Sequence, residues 1–150
     1  MSDLMNDPMV LRQILMDHYE YPRNHKLTHD ESYYTRHMAS DSCIDDIHVE
    51  AKINNRTIED IRFDGVACTI ATAATSIMSE LLIGKTIDEA NVIIKNYHAM
   101  IDGTEYDADL LEEAIALHTV GKQANRIKCA TIGWKAIEEM IAESETQHGK

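Results

Sequence analysis

Hydrophobic positions change their period along this chain, and each change marks an element. Asp7-Pro8 reads as a helix start, an N-cap acid followed by proline at the first helical position. Met9, Val10, Ile14 and Leu15 recur at helical spacing and predict a short amphipathic helix to about Tyr19, ended by Pro22-Arg23-Asn24. From His25 to Ser42 the pattern is polar, with one edge strand expected near Tyr33 to Met38. Ile47, Val49, Ala51 and Ile53 then alternate with polar residues, the period of a half-buried strand. Asn54-Asn55 suits the left-handed backbone of a tight turn. Ile61 and Phe63 resume the alternation, and Asp64-Gly65 is read as the end of the hairpin.

After Cys68 the period lengthens. Ala71, Ala74, Ile77, Met78, Leu81 and Leu82 form a helical stripe that Gly84 terminates. Thr86 with Glu89 has the form of a capping box, opening a helix whose apolar face carries Ala90, Ile93, Ile94 and Tyr97. Asp102-Gly103 is a turn, and Leu110 to Leu117 predicts a further short helix. The last helix is expected to begin close to Cys129 and to carry Ala130, Trp134, Ile137 and Ile141. With no repeat and no linker, residues 1–150 read as one α+β domain, with 1–7 and 143–150 frayed.

At 150 residues such a domain buries roughly 68–70% of its unfolded surface without needing disulfides. An odd count of three cysteines, no apolar leader and no 18-residue apolar run point to a reduced, cytoplasmic protein outside membranes. The net charge of −12 repels phosphate backbones and argues against nucleic acid as a partner. The eight histidines lack the close pairing of a helical metal motif, so most are expected at the surface and none is assigned to a site.

The candidate chemistry lies in the cysteines. Cys43, Asp45, Cys68 and Cys129 make a four-ligand set of the kind zinc takes tetrahedrally. The intervals are 24 and 60 residues, so the tight pairing of a zinc finger is missing, and three separate buried thiols fit the spacing as well. Asp45, followed by Asp46, reads equally as a solvated loop acid. Cys68 and Cys129 fall near expected helix N-termini, where backbone N–H groups favour a thiolate. Cys43, between a polar stretch and a strand, is the natural sulfur acceptor. Arg126 and Lys128 flank Cys129, either as surface residues or as charges that favour its thiolate.

Three strings carry a resemblance: D-H-Y-E-Y-P-R-N from Asp17 to Asn24, F-D-G-V-A-C-T-I from Phe63 to Ile70, and R-I-K-C-A-T from Arg126 to Thr131, with W-K-A at Trp134. In this order, from about residue 9 to 141, the chain resembles the SufU-type members of the IscU/NifU N-terminal family of iron–sulfur cluster assembly proteins. The resemblance implies a small antiparallel three-stranded sheet packed with about five helices. It implies metal ligation by Cys43, Asp45, Cys68 and Cys129, with Arg126 and Lys128 lining the site. Lys128 stands where the scaffold branch has histidine, which favours the SufU branch. There the protein binds Zn2+ and accepts persulfide sulfur on Cys43 from a SufS-type cysteine desulfurase, for downstream cluster-assembly proteins. It would act as a sulfurtransferase-like partner of that desulfurase rather than as a free-standing enzyme. The alternatives are a scaffold carrying a transient [2Fe–2S] cluster and a purely structural zinc. One departure stands out: the family's P-x-C-G-D is Asp41-Ser42-Cys43-Ile44-Asp45 here, without proline or glycine.

Overall fold

The computed structural model describes residues 7–39 and 44–148, and its order of elements follows the period changes closely. Helix α1 (Pro8–Glu20) is followed by strands β1 (Tyr34–Ala39), β2 (Asp46–Asn54) and β3 (Thr57–Val66). Helices α2 (Thr69–Leu82), α3 (Ile87–Asp102) and α4 (Ala108–Leu111), two 3₁₀ turns (Glu112–Leu117 and Val120–Lys122) and a long α5 (Ala124–His148) complete the described chain. The strands form an antiparallel sheet in the order β1-β2-β3. The fold is the α+β class expected, a three-stranded sheet with five helices.

The Asp7 side chain accepts from the Met9 N–H and caps α1 as its position predicts. The hairpin turn lies one residue further on than expected. Asn54 pairs with Thr57, so Asn55 and Arg56 make the two-residue loop, at φ 51° and 58°. Positive φ at both central positions is the geometry of a hairpin turn whose twist matches its strands. Arg56 adopts this uncommon backbone while its guanidinium joins Asp88 of α3 at 3.0 Å and Glu145 of α5 at 3.1 Å. The return strand also carries a register shift opposite Lys52/Ile53. Strict alternation selects Ile61 and Phe63 alone, but the bulge resets the phase and brings Ile58 inside as well, fully buried. Nor does the hairpin end at Gly65, since pairing continues to Val66 opposite Asp46.

One face of the sheet, built on Ile47, Val49, Ala51, Ile53, Ile58, Ile61 and Phe63, packs into a core shared with the helices. At its centre the rings of Tyr97 and Trp134 stack 3.8 Å apart at 4°. Fully burying side chains of this kind is worth roughly 1.5–3 kcal/mol each, and both belong to the helices that fix where Cys129 sits. The 25–33 stretch, polar in sequence, is tied to the sheet's other face by Glu50. That buried carboxylate accepts from the Thr28 N–H at 2.7 Å, the Thr28 hydroxyl at 2.8 Å and the His29 N–H at 3.0 Å.

Two helical expectations change. Leu110 to Leu117 is not one helix: α4 stops at Leu111, Glu112 turns at φ 46°, and the chain continues as 3₁₀. Ala114, Ile115, Ala116 and Leu117 are all buried, a run of consecutive buried residues that a single amphipathic α-face does not provide. The last helix starts five residues before Cys129 and runs on to His148, with Ser144 buried beyond Ala142 where the tail turns polar. Among the described residues no helix is long and apolar enough to cross a membrane.

Candidate metal centre

The end of the sheet where β2 begins faces the start of α2, and strand alternation divides two neighbouring acids there. Asp46 points to solvent, while Asp45 is buried at 1% exposure. A carboxylate so enclosed needs hydrogen bonds to offset lost hydration. Asp45 Oδ1 accepts from the backbone N–H of Cys68 at 2.8 Å, and Oδ2 lies 3.8 Å from Cys68 Sγ. The solvated loop acid is therefore excluded for Asp45.

Cys68 is the N-cap of α2, and its sulfur accepts from the Ala71 N–H at 3.4 Å. A thiolate there lies at the positive end of the helix dipole, among N–H groups that have no partner within the helix. The sequence folds this way because Gly65, two residues earlier than Ala67, takes φ 130° and lets β3 close on β2. A Cβ at Gly65 would lie 2.3 Å from the Asp46 carbonyl oxygen.

Cys129 is also buried, at 1% exposure, but not at a helix N-terminus, since α5 begins at Ala124. Its position comes from packing. The Tyr97 hydroxyl donates to the carbonyl of Ala130, the next residue, at 2.6 Å. Burial pushes the Tyr97 phenol well above its ordinary value, so it remains a donor. Gly133 lets α5 approach α2, where Thr75 would lie 2.4 Å from a Cβ.

Through these contacts one carboxylate oxygen of Asp45 and the sulfurs of Cys68 and Cys129 all come within 4.8 Å of one another. Ligands at zinc bond lengths of about 2.3 Å to sulfur and 2.0 Å to oxygen sit about 3.5 Å apart on a tetrahedron. The 3.8 Å between Asp45 Oδ2 and Cys68 Sγ is close to that edge. Asp45 Oδ1 is held by the Cys68 N–H, which leaves Oδ2 to face the sulfurs. Two thiolates and a carboxylate are donors that suit zinc, so the residues present fit that ion.

Cys43 lies outside the described residues. Its neighbour Ile44 is 66% exposed, and Val66 is 63% exposed. Arg126 and Lys128 are both exposed on α5. Arg126, three residues before Cys129, shares its side of the helix, whereas Lys128, one residue before it, points elsewhere.

Two groupings have no counterpart in the sequence reading. His18 is fully buried, not solvated. Its Nδ1 meets Ser76 Oγ at 2.7 Å and its Nε2 meets Glu113 Oε1 at 3.2 Å, a clasp of α1 against α2 and the first 3₁₀ turn. Helical spacing placed only apolar residues on the buried side of α1, so the histidine carried no signal of burial. His37, Asp46 and His48 cluster on the exposed face of the sheet. They are adjacent only through strand register, which the sequence does not state.

The family described as NifU-like N terminal domain matches residues 11–150. Among curated proteins the chain is 37% identical over 146 residues to the zinc-dependent sulfurtransferase SufU of Bacillus subtilis, covering 97% of this chain and 98% of that one. It is 36% identical over 137 residues to the iron-sulfur cluster assembly scaffold protein IscU of Streptococcus pyogenes, covering 90% and 85%. Among solved structures, FiSufU from thermophilic Fervidobacterium islandicum superposes with a TM-score of 0.78 at 28% identity, covering 86% of this chain and 94% of that chain.

Proposed function

Because the chain belongs to the NifU-like N-terminal domain family, we propose that it serves iron–sulfur cluster assembly as a zinc-binding sulfur acceptor, taking persulfide sulfur from a cysteine desulfurase. The observation that carries this reading is the convergence of Asp45, Cys68 and Cys129 within 4.8 Å. Three protein donors leave one tetrahedral position, and Cys43, two residues before Asp45 in sequence, would supply the fourth ligand. A bound zinc ion would hold the cysteines as thiolates at neutral pH.

In the transfer, the Cys43 thiolate attacks the outer sulfur of the desulfurase persulfide. A new S–S bond forms as the old one breaks, and the desulfurase cysteine leaves as its thiolate. Cys43 becomes the persulfide, and the exchange consumes no oxidant or reductant. Asp45, Cys68 and Cys129 keep the site in shape, and Arg126 offers positive charge on the Cys129 side of α5. Exposed Ile44 and Val66 leave an apolar rim beside the site, open to the desulfurase and to downstream cluster-assembly proteins.

The test is stimulation of desulfurase turnover by wild type and by Cys43→Ser, with zinc per chain measured on protein purified without added metal. About one zinc per chain in the wild type and loss of stimulation in the variant are expected; normal stimulation by Cys43→Ser overturns the proposal. The similarity to a protein named as a scaffold favours one other reading, assembly of a [2Fe–2S] cluster on the same residues. Anaerobic reconstitution with iron and sulfide distinguishes it, since a scaffold develops a stable visible absorbance.

A further inference from the structure

The solvent-facing side of the sheet carries a second set of ligating side chains, which the sulfur chemistry does not use. His37 on β1 and His48 on β2 are directly opposed in the antiparallel register. Their rings stack with centroids 4.3 Å apart and planes 8° from parallel. Asp46, two residues before His48 and therefore on the same face, meets His37 Nε2 through Oδ1 at 2.6 Å. One donor atom from each of the three lies within 4.8 Å of the others, and all three residues are exposed.

We infer that His37, Asp46 and His48 form a second metal site that takes an imidazole-preferring divalent transition-metal ion. Two imidazoles and one carboxylate on a single face are the donor set of such ions, with water completing the shell. The backbone supplies the preorganisation. Cross-strand pairing fixes the two histidines, and the two-residue repeat of β2 fixes Asp46 beside them. For both rings to aim a nitrogen at one ion they must splay from the parallel stack. Each side chain is on the surface, so this needs side-chain rotation and no repacking of the core. The contact displaced is an exposed side-chain hydrogen bond between His37 and Asp46, with both side chains 55% exposed, and exposed polar contacts of this kind contribute little. The net charge of −12 raises the local concentration of cations. Asp64, opposite His48 on β3, is already engaged by His25 at 3.3 Å and by the Gly65 N–H at 2.8 Å, so the ligand set is the three residues named.

This site is separate from the thiolate cluster in chemistry and in direction. Asp45 turns inward to Cys68, and Asp46 turns outward to His37. Its occupancy requires no cysteine and does not depend on the sulfur-transfer proposal.

The experiment is calorimetric titration with Ni2+ of the full chain carrying one equivalent of zinc, on wild type and on the double variant His37→Ala/His48→Ala. Wild type is expected to bind one more equivalent of Ni2+ than the variant. Zinc per chain should be the same in both proteins. Asp46→Asn should weaken Ni2+ by at least the roughly tenfold that even an outer partner of a ligand costs. Equal Ni2+ stoichiometry and affinity in wild type and double variant would overturn the inference. So would Ni2+ uptake matched by zinc release in both proteins, which would place the ion at the thiolates.

Discussion

Asp45 does two things with two oxygens, and a substitution can separate them. Oδ1 satisfies the Cys68 N–H, and Oδ2 faces the sulfurs. Asp45→Asn retains a carbonyl oxygen for the N–H but removes the anionic ligand. It should keep the fold and lose zinc affinity by at least about tenfold, measured by competition against a chromogenic chelator. Asp45→Ala leaves the part-buried Cys68 N–H without that acceptor, which costs up to about 1–3 kcal/mol in addition. Thermal unfolding of the metal-free proteins should therefore rank wild type and Asn together, above Ala. If Asn and Ala were equally destabilised, the N–H bond would not be what Asp45 contributes to the fold. Asp45 was legible in the sequence as a candidate ligand, though not as a buried one. Adjacent acids look alike until the strand assigns them to opposite faces.

Among the elements, the crossing of α2 and α5 does most to assemble the site. Cys68 heads the first helix and Cys129 rides in the second turn of the other, so their separation follows from how closely the helices approach. Gly133 sets that approach. A Cβ there would meet Thr75 Oγ1 at 2.4 Å and Cγ2 at 2.8 Å, and Thr75 is held by its own bond to the Ala71 carbonyl at 2.7 Å. Gly133→Ala should cost about 1–3 kcal/mol, the usual penalty for overpacking, and should weaken zinc binding along with stability. Denaturant unfolding with a parallel metal titration checks both. Unchanged stability would mean the two helices can separate freely. The helices themselves were readable because caps and apolar stripes are local: Asp7, Thr86 with Glu89, and Gly103 all act where expected. The start of α5 was not, because its first turn carries no apolar stripe and its apolar residues begin only near Cys129.

For the whole molecule, the proposed zinc couples three distant stretches of chain, residues 45, 68 and 129, so binding it is linked to folding. An ion that binds only the folded form at a free concentration of 100 times its Kd stabilises by about 2.7 kcal/mol. For a chain of this length that corresponds to a rise of roughly 5–10 °C in Tm. Removing the metal with a strong chelator should reverse the shift, and Cys68→Ser should show little of it. An unchanged Tm on chelation would mean that zinc is not held by these three residues. The sequence by itself determined the order of elements, the α+β class and the caps at Asp7 and Thr86, and it offered the four candidate ligands, because periodicity, capping and residue chemistry are properties of short windows. Tertiary structure decided everything that depends on distance across the chain. It set the bulge that brings Ile58 inside and the turn at Asn55-Arg56. It also divided Asp45 from Asp46, buried His18, and paired His37 with His48. Register and helix crossing arise from packing between segments far apart in sequence, and no local pattern encodes which residues they bring into contact.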